Sequence, residues 1–192
     1  MPLLDATDPL PHRPRRVLVA GTSGSGKTTL AARIAAALDA PHVEIDSLFH
    51  GQAWTPRPSF EADVHRFTAG PTWVTEWQYG AVRAHLADRA DLLVWLDLPR
   101  SLVMRQILRR TLIRRLRRQR LWNDNLEPPL WTAFTDPEHI VRWAWKTHHK
   151  TTRRVTDLHA RRPDLAIVRL HSHTDAARWL CGPLHQAKDS PS

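Results

Sequence analysis

Cysteine is all but missing from this chain: Cys181 is the only one. A single thiol excludes an internal disulfide framework and a cysteine-built zinc site, and it fits a reducing compartment. Long apolar runs are missing too. Nothing approaches the ~20 apolar residues of a membrane-spanning helix. The opening "MPLLDATDPLPHRPRR" carries four prolines and acidic residues rather than a signal-peptide core. The sequence therefore reads as a soluble, cytoplasmic protein with no membrane partner. Acids are in short supply: 19 stand against 28 basic residues, nearly all arginine, leaving a formal charge of +9. Arginine forks suit phosphate, so a polyanionic ligand or partner is expected. Neither an internal repeat nor a sustained heptad pattern is present, and a hydrophobic fraction of 42% over 192 residues permits one α/β core.

Against those absences stands an alternation of short apolar runs with helical stretches. The runs are "RVLVA" (16–20), "HVEID" (42–46), "TWVTEW" (72–77), "LLVWLDL" (92–98) and "AIVRLH" (166–171). Helix-like periodicity covers 27–39, about 58–69, 79–89, 100–120, 137–160 and 174–181. This alternation predicts a parallel sheet with helices on both faces. Residues 1–14 are expected to be a flexible arm, 15–182 one domain and 183–192 a frayed tail.

Glycine is scarce as well, with seven in the chain, yet three of them fall between positions 21 and 26. There "GTSGSGKT" matches G-x-x-x-x-G-K-S/T, with an apolar strand before it and a helix after it. Such a loop wraps so that the amides of Gly21, Thr22, Ser23, Gly24, Ser25 and Gly26 turn toward phosphate oxygens. The helix that follows, with Lys27, Thr28 and Thr29 in its first turn, adds its positive end. Lys27 supplies a point charge for the β- and γ-phosphates, and the Thr28 hydroxyl suits Mg²⁺. The expected ligands are thus a nucleoside triphosphate and Mg²⁺.

The order of motifs resembles P-loop kinases around adenylate kinase, and more closely the bacterial adenylate-kinase-related proteins labelled topology modulation or FlaR-like. The likeness runs from about Arg16 to Leu180. It rests on the glycine loop, "VEIDSLFHGQAWTPRP", "TWVTEWQY", "LLVWLDLPR", "RQILRRTLIRRLRRQRLWNDNLEPP" and "IVRWAWKTHHKTTRR". It implies a three-layer α/β/α P-loop NTPase fold with five parallel strands in the order 2-3-1-4-5. It also implies a helical arginine-rich lid at about 105–135 and an acceptor that is a nucleoside or nucleotide.

Strand three of that group ends in Asp-Gly, where this chain has Glu76-Trp77. Glu76 is still a carboxylate able to hold a water on Mg²⁺, whereas Trp77 is expected to narrow the acceptor pocket. Asp46, read at the end of strand two, is either a base for the acceptor hydroxyl or a helix cap. Asp97 in "WLDLP" is read as shaping a turn. Nine arginines lie between Arg100 and Arg120, and the resemblance assigns Arg105, Arg109 and Arg110 to the triphosphate. Trp54 is a candidate for ring stacking or for packing, and Asn123, Asn125 and Glu127 for lid, acceptor or plain turn. Trp73, Trp95 and Trp179 fit core positions. His148, His149, His171 and His173 lack further ligands at metal-site spacing and read as surface histidines.

Two functions remain open from the sequence. One is an ATP-dependent phosphotransferase using Lys27, Asp46, Glu76 and the arginines. The other is an ATP-binding regulatory or nucleic-acid-associated protein with little or no kinase turnover.

Overall fold

The structure is a computed structural model that describes residues 3–51, 55–116 and 140–189. Trp54, Asn123, Asn125, Glu127 and most of the expected lid lie outside those residues, as do the side chains of Arg110, Trp143, Trp145, His148 and His149.

Six strands form one sheet: β1 (Leu3–Leu4), β2 (Arg16–Gly21), β3 (His42–Val43), β4 (Trp73–Glu76), β5 (Leu92–Leu96) and β6 (Ala166–Leu170). Between and after them come α1 (Lys27–Leu38), α2 (Ile45–Phe49), α3 (Phe60–Thr68), α4 (Gly80–Arg89), α5 (Arg100–Leu116), α6 (Ile140–Arg161), α7 (His173–Cys181) and α8 (Pro183–Asp189). All pairings are parallel, in the order β1-β6-β5-β2-β4-β3.

Six strands replace the expected five, and the order differs accordingly. The extra strand comes from the arm read as flexible: Leu3 and Leu4 pair with Ile167 and Val168 at the sheet edge. Leu4 packs against the core and Ala6 is buried. Counted without β1, the strands beginning at 42, 73, 16, 92 and 166 lie side by side in that order. Prolines at 2, 9, 11 and 14 masked an apolar pair too short to register as a strand.

Alternation along the central strands divides the core. Val17 and Val19 face one layer with Leu30, Ile34, Val103, Ile107 and Trp179. Leu18 and Ala20 face the other, with Ile45, Phe60, Val64, Trp73 and Leu158. Trp73, Trp95 and Trp179 are all buried.

Two further expectations are corrected. "HVEID" is strand only at His42–Val43, because the Ile45 amide turns out of the sheet to donate to Glu76 Oε2 at 3.0 Å, and α2 begins there. The tail is helical through Asp189: Pro183 opens α8, and Leu184 and Ala187, spaced three apart, are buried. Proline at a first helical position, with that spacing after it, was the signal.

Candidate active site

The carboxyl ends of β2 and β4 bring three groups of residues to one edge of the sheet, the edge at which open parallel sheets bind ligands. The first is the glycine loop. Gly21 closes β2, and α1 starts at Lys27 with Gly26 as N-cap at φ 92°, where no side chain caps the helix. Gly24 has φ 80°, and a Cβ there would lie 2.2 Å from Ile107 Cγ1 of α5. Both positions therefore need glycine, one for backbone sign and the other for sign and space together. Thr22 and Ser25 are buried, Ser23 and Thr28 half-buried and Thr29 exposed. Ser25 Oγ is buried with no hydrogen-bond partner, and the Lys27 ammonium donates to the Thr22 carbonyl at 3.1 Å.

The second group centres on Glu76, which is 1% exposed. Oε2 accepts from the Ile45 amide, while Oε1 lies 3.5 Å from His42 Nε2. The nearby Thr28 side chain also favours the charged form of this carboxylate. Burial opposes ionisation, but His42, the Ile45 amide, the residue's own backbone and Thr28 outweigh it and hold the carboxyl below its usual range. An ionised carboxylate near a threonine hydroxyl, beside an uncapped helix start, forms an oxygen donor set suited to Mg²⁺. The orphaned Ser25 Oγ in the glycine loop is consistent with a polar ligand beside it. The residues fit a magnesium-bound polyphosphate.

The third group surrounds Asp46, which lies in the first turn of α2 rather than at a strand end. Its Oδ1 accepts from Gln78 Nε2 and from the Tyr79 hydroxyl, each at 2.5 Å. The phenol also lies 3.2 Å from His50 Nε2, and its ring stacks on Phe49 at 4.0 Å between centroids. Trp77 does not narrow this cleft. It is buried in the core, and its Nε1 donates to the Arg83 carbonyl at 3.0 Å. Gln78 and Tyr79 are the residues that reach Asp46, and sequence reading missed them.

Arg105 and Arg109 are exposed on α5 and make no ion pair among the described residues. The contact of α5 with the loop runs through Ile107, and Gln106 hydrogen-bonds His173 at the start of α7. A cavity of about 260 Å³ opens beside Gly26 and Thr29, with Arg33, Gln106 and His173 in its wall. Asp97 serves the sheet: Arg169 Nε and Nη2 donate to its Oδ2 at 2.9 and 2.5 Å, and the same guanidinium lies 4.6 Å from the Trp95 ring.

Comparison with solved structures decides the fold. A gluconokinase from Sinorhizobium meliloti matches with a TM-score of 0.54 at 18% identity, over 93% of this chain and 96% of its own. The chain has the P-loop kinase fold. A shikimate kinase from Bacteroides thetaiotaomicron matches at TM-score 0.48 and 13% identity, over 88% and 95% of the two chains. A sugar kinase from a Janibacter species matches at 0.44 and 19%, over 98% and 91%. No family model matches the sequence, and no curated protein is similar to it. Among the described residues no helix is long and apolar enough to cross a membrane.

Proposed function

We propose that the protein is an ATP-dependent phosphotransferase acting on a small hydroxyl acceptor. The observation that carries this reading is the buried, ionised Glu76 carboxylate near Thr28, beside an uncapped glycine-loop helix start. A polyphosphate there meets backbone amides and the Lys27 ammonium, which exchanges its bond to the Thr22 carbonyl for phosphate oxygen. Thr28 and Glu76, the latter through a water, are the residues that would hold Mg²⁺, whose charge when bound neutralises phosphate oxygens. The cavity beside Gly26 and Thr29 is read as the seat of the nucleotide's base.

Asp46, on the acceptor side, accepts the proton of the attacking hydroxyl. As the acceptor oxygen bonds to the γ-phosphorus, the bond from that phosphorus to the bridging oxygen breaks and ADP leaves. The work is positioning and charge neutralisation, as this chemistry requires. Arg105, Arg109 and Arg110, on α5, contribute lid charge in this scheme. The likeness to adenylate-kinase-related proteins favours a nucleoside or nucleotide as acceptor.

The test is ATP consumption with a panel of nucleosides and nucleotides. Acceptor-stimulated turnover is expected in the wild type and a loss of about a hundredfold or more in Lys27→Ala. A second reading, binding to nucleic acid, is favoured by the exposure of Arg105 and Arg109. It requires duplex affinity that falls steeply with salt, and no acceptor stimulation.

A further inference from the structure

The turn from Glu76 to Gly80 carries more than its metal-side carboxylate. Trp77 anchors it in the core, so the next two side chains are directed back toward α2. There Gln78 and Tyr79 both donate to one oxygen of Asp46, and among the described residues the other oxygen, Oδ2, has no hydrogen-bond partner. Tyr79 makes this contact from φ 60°, ψ 119°, a backbone conformation that a residue with a Cβ rarely adopts. Such strain persists only where the surroundings enforce it, and it concentrates at functional sites. Here the ring is enforced on two sides: it stacks on Phe49 at an interplanar angle of 21°, and Phe60 meets it edge-on at 5.3 Å.

We propose that Tyr79 is a positioning residue for phosphoryl transfer: with Gln78 it holds Asp46 Oδ1, so that Oδ2 is aimed at the acceptor hydroxyl. The inference rests on the reading of Asp46 given above and deepens it. A carboxylate free to rotate would offer either oxygen in many directions. Two donors on one oxygen fix the other, and a misplacement of ~1 Å at a reacting group costs about a hundredfold in rate. The half-buried faces of Phe49 and Tyr79 beside that oxygen form an apolar wall for the acceptor. Three ionisable groups face the phenol: Asp46 from α2, His50 just after that helix, and Glu76 from β4. Burial first, then the Asp46 charge and hydrogen bond and the more distant Glu76, push the phenol far above its ordinary range.

Tyr79 is the only tyrosine in the chain, so its ionisation can be read alone from phenolate absorbance. In the wild type phenolate is expected only well above the ordinary tyrosine value of about 10. In Asp46→Asn, which keeps the side-chain shape, its midpoint falls toward that value. Equal midpoints in two proteins with the same circular dichroism would overturn the clamp, whatever the chain does with ATP. Basal hydrolysis of Mg·ATP, with water as acceptor, supplies the functional arm. Tyr79→Phe should lower kcat about tenfold or more while leaving the KM for ATP unchanged. An unchanged kcat would overturn the positioning role even if the phenol titrates as expected. A chain that binds no ATP would refute the phosphotransferase reading, and the titration would still decide the clamp.

Discussion

Glu76 joins the two halves of the proposed chemistry, since its oxygens meet Ile45 and His42 and it lies near Thr28. Because its carboxyl is held below the usual range, its stabilisation is present above the unfolded-state value of about 4.3 and is lost as pH falls further. Urea unfolding at stepped pH should therefore show wild-type stability declining below about pH 4.3, with a shallower decline in Glu76→Gln. An equal acid slope in both would contradict it. Gly24 gives a second prediction. Gly24→Ala places a methyl in Ile107 and demands a left-handed backbone, costing roughly 2–4 kcal/mol by thermal or chemical denaturation. What was legible at this scale was local. Gly21 to Thr28 are contiguous, so their chemistry could be read from spacing alone. The Asp46–Tyr79 pair lies 33 residues apart in sequence, and only the fold brings it together. Trp77 misled because its size was read as obstruction, whereas its indole turns into the core.

Among the elements, α5 is the one that couples parts of the site. Its Ile107 rests on Gly24 while Gln106 bonds His173 of α7, so the proposed lid helix, the glycine loop and the wall of the cavity beside Gly26 meet in one place. The C-terminal α8 belongs to the fold, not to a tail. Leu184 is fully buried in the layer that packs α1 and α7 on the sheet. Leu184→Ala should cost about 2–5 kcal/mol in chemical denaturation, against nearly nothing for an unstructured segment. The long elements were legible because apolar periodicity over ten or more residues leaves few alternatives. Three features escaped: β1, only two residues long; α2, started by the Ile45 amide's bond to Glu76; and α8, hidden behind a Gly-Pro pair that reads as a break.

At the scale of the whole molecule, the parallel sheet delivers the ends of β2 and β4 to one edge, and the loops there carry all three candidate groups. Likeness at 18% identity establishes the fold, and chemistry has to be argued from the site itself. The excess of arginine matches the proposed need for phosphate contacts, and it also keeps the duplex-binding alternative measurable through salt dependence. The central claim is that the amides opening α1 cradle a magnesium-bound triphosphate. Calorimetric titration of the full chain with ATP in the presence of Mg²⁺ tests it most directly. The account expects saturable binding that weakens by about tenfold or more in Lys27→Ala. Failure of both ATP and GTP to bind the folded wild type, or equal affinity in Lys27→Ala, would contradict it.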